Sequence, residues 1–259
     1  MKDVTPFYCP SEWVSNSIKV LLVGAGGNGS EMLDCLARLH AGLIGCGHPC
    51  GLEVTVMDGD TVSRANIGRQ RFAYSDIGLN KAVVLSHRYN MFYQTNWTSL
   101  PHYLDFNTKS RHELDDFDLL ITCVDKAKTR IEVAKYAPKY LMDTILWLDL
   151  GNGNSTGQFC LGHLGNKCSD IVWLPHIVDL FPELSNVDDN DKPSCSFEEA
   201  IAQQDLFVNR ILANASANLL WQLIRHGKIT SHGGFIDVAK HNTRPLLISP
   251  SVWSFFGYN

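Results

Sequence analysis

The chain has 259 residues, 45% of them apolar, and a formal net charge of −5. That is enough apolar chain for one full α/β core, and no window is long and apolar enough to span a membrane. The acidic balance argues against nucleic acid as the main partner; eight unpatterned cysteines, and no basic-then-apolar leader in residues 1–17, make a reduced cytoplasmic protein the expectation.

From residue 20, VLLVGAGGNGS is an apolar run that breaks into a glycine-rich turn. Residues 20–23 suit a buried parallel strand, and residues 28–40 place Met32, Leu33, Leu36 and Leu39 at helical spacing. Between them lie Gly24, Gly26 and Gly29, in the spacing of a dinucleotide fingerprint, with Gly27 inside the loop. Such a loop lets phosphate meet the free N–H groups at the start of the helix. A purely structural turn is the alternative.

Residues 53–57 alternate as a second strand that ends in Asp58-Gly59-Asp60. A carboxylate there can accept from a ribose diol, in NAD and ATP alike. Asn66, Arg69, Gln70 and Lys81 follow, and two permanent cations beyond the ribose acid suit a triphosphate and a leaving pyrophosphate better than hydride transfer. Read singly, Arg69 and Lys81 could each be a solvated charge. DLLITC at 118–123 reads as a third buried strand, running into Asp125 and a helix over residues 126–136. Asp125 would then lie at the same sheet edge, as a Mg²⁺ ligand completed by phosphates and water, as the helix N-cap, or as both.

Residues 146–150 and 157–164 read as further strands, the second antiparallel, with GNGNSTG as the turn between them. Residues 165–193 mix an apolar patch, Ile171 to Leu174, with acids and prolines, and read as a crossover excursion over the site. Cys195 follows NVDDNDKPS and precedes a helix expected over 197–226, broken or bent near Gln203. A helix N-terminus can stabilise a thiolate, but Asp188, Asp189, Asp191, Glu198 and Glu199 oppose it, so a nucleophile and a structural cysteine both stand. The stripe Phe207, Ile211, Leu212, Ala215, Leu219 and Leu220 suits core packing or a dimer surface. Residues 233–239 and 245–249 suit a closing strand pair, and the aromatic stretch 253–258 should dock into the fold or an interface.

The expected whole is one domain over residues 1–259, an α/β, Rossmann-like, mainly parallel sheet flanked by helices with an antiparallel extension. Its expected parts are a nucleotide-binding half at 18–157, a crossover segment at 165–196, and a helix with C-terminal strands at 197–259.

Residues 24–29, 58–62, 66–70, Lys81 and 123–125 resemble, in order and approximate spacing, the ThiF/MoeB-type adenylating enzymes that activate ubiquitin-like proteins. The resemblance runs over residues 20–157. It implies that Asp58 binds the ribose, that Asn66, Arg69 and Lys81 contact ATP phosphates, and that Asp125 holds Mg²⁺. Gly24, Gly26, Gly27, Gly29, Asp60 and Gln70 complete the expected nucleotide site. The implied reaction is attack by the C-terminal carboxylate of a small ubiquitin-like or sulfur-carrier protein on the α-phosphate, giving an acyl-adenylate and pyrophosphate. A homodimer is also implied, as is uptake of the activated group by a loop cysteine, here Cys195. Arg69, Lys81, Asp125 and Cys195 are thus the expected catalytic set. Residues 193–238 are similar to the ThiF-like member of the plasmid-associated PRTRC cassettes.

The sequence departs from that pattern in two places. It lacks the two C-x-x-C pairs that hold a structural zinc in many relatives; Cys46 and Cys50 flank His48, with Cys160, His163 and Cys168 as conceivable further ligands, but no second matching pair exists. Residues 1–19 also lack the arginine that relatives lend to a partner subunit, offering only Lys2 and Lys19. A nucleotide-binding scaffold without catalysis is therefore the alternative to an enzyme.

Overall fold

A computed structural model describes residues 3–106, 114–140, 144–167, 171–186 and 204–258. In chain order its elements are β1 (Phe7–Tyr8), β2 (Ile18–Val23), α1 (Gly27–Gly45), β3 (Leu52–Met57), α2 (Lys81–Tyr93), β4 (Thr98–Leu100), β5 (Leu119–Thr122) and α3 (Ala127–Tyr140). There follow β6 (Ile145–Asn152), β7 (Thr156–Leu164), α4 (Ile177–Leu180), α5 (Val208–His226), β8 (Lys228–Ile229), β9 (Ser231–Asp237), β10 (Asn242–Leu247) and α6 (Pro250–Trp253), with short 3₁₀ turns between.

Eight strands form one sheet in the order β10-β9-β7-β6-β5-β2-β3-β4. The pairs from β6 through β5, β2 and β3 to β4 are parallel, and β6–β7, β7–β9 and β9–β10 are antiparallel. The mainly parallel sheet with an antiparallel extension is as the sequence implied. Strands covered on both faces must be apolar throughout, and β5 and β6 are buried at nearly every position. The chain leaves β2 toward β3 on one side and returns to β5 on the other. Right-handed crossovers then put α1 and α3 on opposite faces, and the carboxyl ends of β2 and β5 flank the point where the strand order reverses.

α1 packs on α5, burying Leu36, Leu33 and Leu43 against a face that includes Leu212, Leu220 and Leu223. Gly42 brings the helices close, since a Cβ there would lie 3.3 Å from the Trp221 ring. Residues 197–203 of the expected 197–226 helix lie outside the described residues, and beyond the break expected near Gln203 the helix runs over Val208–His226. The backbone N–H of Asp205 is spent on the Asn154 carbonyl of the β6–β7 turn (3.0 Å), and residues 204–207 are a bend and turn. Of the expected apolar stripe Leu212, Leu219 and Leu220 are buried, while Phe207 and Ile211 are exposed, at 60% and 39%, so the core-packing reading fails for those two. Residues 187–203, including Cys195, lie outside the described residues.

The aromatic stretch at 253–258 docks. Trp253 is buried and its indole N–H donates to His232 Nε2 (2.9 Å), while Phe256 packs on Phe181 and Phe235. Residues 3–9 lie along the same end: β1 pairs antiparallel with β8, Thr5 N–H donates to the Ile248 carbonyl (2.9 Å), and Ser249 Oγ donates to Asp3 (2.6 Å). Among the described residues no helix is long and apolar enough to cross a membrane.

Candidate active site

The glycine loop is built by the close meeting of β2, α1 and β5. Gly24 has φ +90°, and a Cβ on it would lie 2.8 Å from the Cys123 carbonyl oxygen; one on Gly29 would lie 1.8 Å from the Gly24 carbonyl. Only glycine fits either position. Gly26 is different, because a Cβ there would meet nothing nearer than Gln70 Nε2 at 3.9 Å, leaving room above the backbone. Gly26 also caps α1 with no side-chain hydrogen bond, and no acidic residue sits in the first turn. The leading N–H groups of α1 thus remain available to an anion.

Asp58, at the tip of β3, is buried and clamps this loop. Its Oδ2 accepts the Ala25 N–H (2.6 Å) and its Oδ1 the Asp60 N–H (2.7 Å). Burial raises its pKa, against the pull of those two bonds. Asp60 is half exposed and takes both Lys81 Nζ (2.9 Å) and the Tyr103 hydroxyl. Burial pushes the Asp60 pKa up, but the Tyr103 and Lys81 bonds outweigh it and hold the group below the usual carboxylate range. The same bond raises the Tyr103 phenol to about 12, and Asp58 and Asp125 add to the shift, so all these groups share one electrostatic neighbourhood. The Tyr103 ring lies over Gly59, where a Cβ would come within 2.6 Å of it. Lys81 is buried at the start of α2, whose N-cap Asn80 accepts the Val83 N–H and donates to the Asp58 carbonyl (2.8 Å).

Arg69 and Gln70 approach the loop from the other side. Arg69 Nη1 donates to Gln204 Oε1 (2.5 Å), and burial lowers its pKa. Gln204 in turn accepts from Asn209 (3.3 Å), whose amide abuts Gly27. Asn66 is spent locally, its Oδ1 accepting the Ser63 N–H (2.8 Å) and shaping the turn before Arg69. The segment is braced from outside: Arg71 pairs with Glu31 (2.9 Å) and Asp34 (3.2 Å) of α1, and Arg88 of α2 pairs with Asp76 (2.5 Å). Among the described residues, three buried side-chain atoms have no hydrogen-bond partner: Asn28 Oδ1, Arg69 Nε and Gln70 Oε1. All three residues border the glycine loop, and buried polar atoms are seldom left so.

Asp125 is exposed, two residues before α3, at the carboxyl end of β5. No group of three His, Cys, Asp or Glu able to hold a metal occurs among the described residues. A Mg²⁺ ion needs less, since one carboxylate with phosphate oxygens and water suffices, and Asp125 fits that part. His48 does not serve the metal option raised by Cys46 and Cys50: its Nε2 meets the Trp13 carbonyl (2.6 Å) and its Nδ1 accepts the Gly51 N–H (2.8 Å). Tyr103, Asn209, Gln204 and a buried pair, Arg130 and Asp149, also belong to this region without being expected from the sequence. For the last, the signal was a lone acid inside the apolar run ILWLDL.

Compared with known proteins, the chain matches the ThiF family over residues 12–236. It is 30% identical over 151 residues to the adenylyltransferase and sulfurtransferase UBA4 of Vanderwaltozyma polyspora, a match covering 58% of this chain and 31% of that protein. Among solved structures it is similar to E. coli MccB with ATP (TM-score 0.59, 18% identity, 92% of this chain, 65% of that one). MccB with AMPCPP and MccA is a like match (0.60, 18%, 92%, 66%), as is PaaA (0.59, 15%, 92%, 66%). At such identities the structures establish the Rossmann-type fold that the two share. The chain spans about a third of the curated relative and about two thirds of the MccB chain.

Proposed function

Because the chain belongs to the ThiF family, we propose that it is an ATP- and Mg²⁺-dependent adenylyltransferase. Its acceptor is the C-terminal carboxylate of a small ubiquitin-like or sulfur-carrier protein, or of a peptide such as the MccA seen with MccB. The observation that carries this is the gathering of unpartnered buried atoms, Arg69 Nε among them, beside an α1 N-terminus that no side chain caps. A hydride-transfer cofactor would leave Arg69 and Lys81 without a task.

In this reading ATP is a substrate. A carboxylate oxygen of the acceptor forms a bond to the α-phosphorus as the bond to the bridging oxygen breaks, giving an acyl-adenylate and pyrophosphate. The N–H groups of Gly26 and Gly27 and the α1 dipole hold the phosphates. Asp58, both oxygens already fixed by backbone N–H groups, keeps lone pairs for the ribose hydroxyls. Arg69 and Lys81 neutralise charge on the departing pyrophosphate. For Lys81 this means exchanging Asp60 for a phosphate oxygen, with Tyr103 keeping Asp60 in place. Asp125 holds Mg²⁺, which when bound shields the phosphate charge from the incoming carboxylate. Later transfer to Cys195, a homodimer, a cytoplasmic setting and a PRTRC-type role belong to the same proposal.

The test is Mg²⁺-dependent ATP–pyrophosphate exchange with candidate acceptors encoded beside the gene. We expect exchange that requires the acceptor's C-terminal carboxylate and falls at least about 100-fold in Asp125→Ala and Arg69→Ala, both still folded. Full exchange in both variants would overturn the roles given to Asp125 and Arg69, whereas ATP binding with no exchange under any acceptor would leave a scaffold as the better description.

A further inference from the structure

β6 carries a carboxylate where a parallel strand admits almost none. Asp149 has no solvent exposure, and both its oxygens face Arg130 Nε of α3, at 2.9 and 3.0 Å. Thr122 Oγ1 donates to Asp149 Oδ1 (2.5 Å) and in turn accepts the Trp147 indole N–H (2.8 Å), so the acid is held from both sides. The rest of the Arg130 guanidinium is spent on carbonyls. Nη2 donates to Val124 (2.8 Å) and Leu150 (3.0 Å), and Nη1 reaches the Lys126 carbonyl at 3.4 Å. Val124 and Lys126 are the residues immediately before and after Asp125.

We infer that Arg130 is the positioning residue for Asp125: one guanidinium, oriented by Asp149, ties both carbonyls flanking Asp125 to the end of β6. This rests on the role proposed above for Asp125. A buried ion pair is a poor way to gain stability, because desolvation offsets its attraction and apolar side chains of similar volume do as well. Anchoring α3 to the sheet would not need it, with Ala127 and Val133 already buried on that helix. What apolar side chains cannot supply is a rigid planar fork that bonds several carbonyls at once; neither can lysine, a single point charge. An exposed carboxylate on a turn would otherwise sample many positions, and the ligand it is to hold demands one.

The test uses the full chain with the charge-free double variant Arg130→Met/Asp149→Leu, and Arg130→Lys, which keeps a cation opposite Asp149, should the double variant not fold. We expect folded protein in which the Mg²⁺ concentration for half-maximal ATP–pyrophosphate exchange rises, and kcat falls, by about 10- to 100-fold, while KM for ATP changes little. In the nucleotide-free protein, amide hydrogen exchange over residues 123–126 should accelerate at least about tenfold, with β2 and β3 unchanged. A variant with wild-type Mg²⁺ dependence and wild-type amide protection, beside an inactive Asp125→Ala, would overturn the clamp alone. An active Asp125→Ala would overturn the reading of Asp125 itself, and this inference with it.

Discussion

Asp58 holds the fold together at the point where the proposed function has it meet the ribose. Its two oxygens hold the Ala25 and Asp60 N–H groups, so the glycine loop and the turn after β3 share one anchor. Asp58→Asn leaves a single acceptor oxygen and turns an NH₂ toward a donor. Because bonds to a charged group contribute about 1.5–3 kcal/mol, we expect a stability loss of about 2 kcal/mol in urea melts, with ATP affinity down at least about tenfold by calorimetry. Unchanged stability would remove the clamp from the account. The residues legible in the sequence were those in local strings: Gly24 to Gly29, Asp58, Arg69, Gln70 and Lys81. Partners that lie far along the chain were not legible. Arg69 meets Gln204 and Asn28 meets Asn152, and no spacing rule encodes either contact. Cys195 falls outside the described residues, so its part stays with the proposal.

At the scale of elements, periodicity found what was long enough to have a period. β2, β3, β5, β6, β7 and the core of α1 lie where apolar runs and helical spacing put them, within a few residues. β1, β4 and β8, of two or three residues, have no period to read, and α5 begins at Val208, after a break at which the β6–β7 turn takes the Asp205 N–H. The α1–α5 contact matters for the site, since Asn209 at the start of α5 touches Gly27. Leu220 is fully buried in that contact. Leu220→Ala should cost about 2–5 kcal/mol in thermal or denaturant unfolding. A loss below 1 kcal/mol would mean that the helices are not held by this packing.

At the scale of the whole molecule, acid sensitivity is built into the antiparallel end. His163 on β7 accepts the Leu174 N–H (2.9 Å), and His232 on β9 is held between the Leu161 carbonyl (2.7 Å) and the Trp253 indole. Burial lowers both to about 4. An unfolded histidine takes up its proton near pH 6.5, so between pH 6.5 and 4 the unfolded chain binds protons that the native one refuses. Stability should therefore be flat above pH 7 and fall below 6.5, by up to about 3 kcal/mol per histidine at pH 4. Urea midpoints at pH 7.5, 6 and 5 would show it, and a constant midpoint would refute it. The sheet also ends guardedly on both sides. β10 carries Pro245, which has no N–H to offer, and a register break between Leu246 and Leu247, while β4 is three residues long. Under the proposed function the strand ends would receive another chain's extended terminus, which could otherwise add itself as a ninth strand; the two blunted borders disfavour that misplacement.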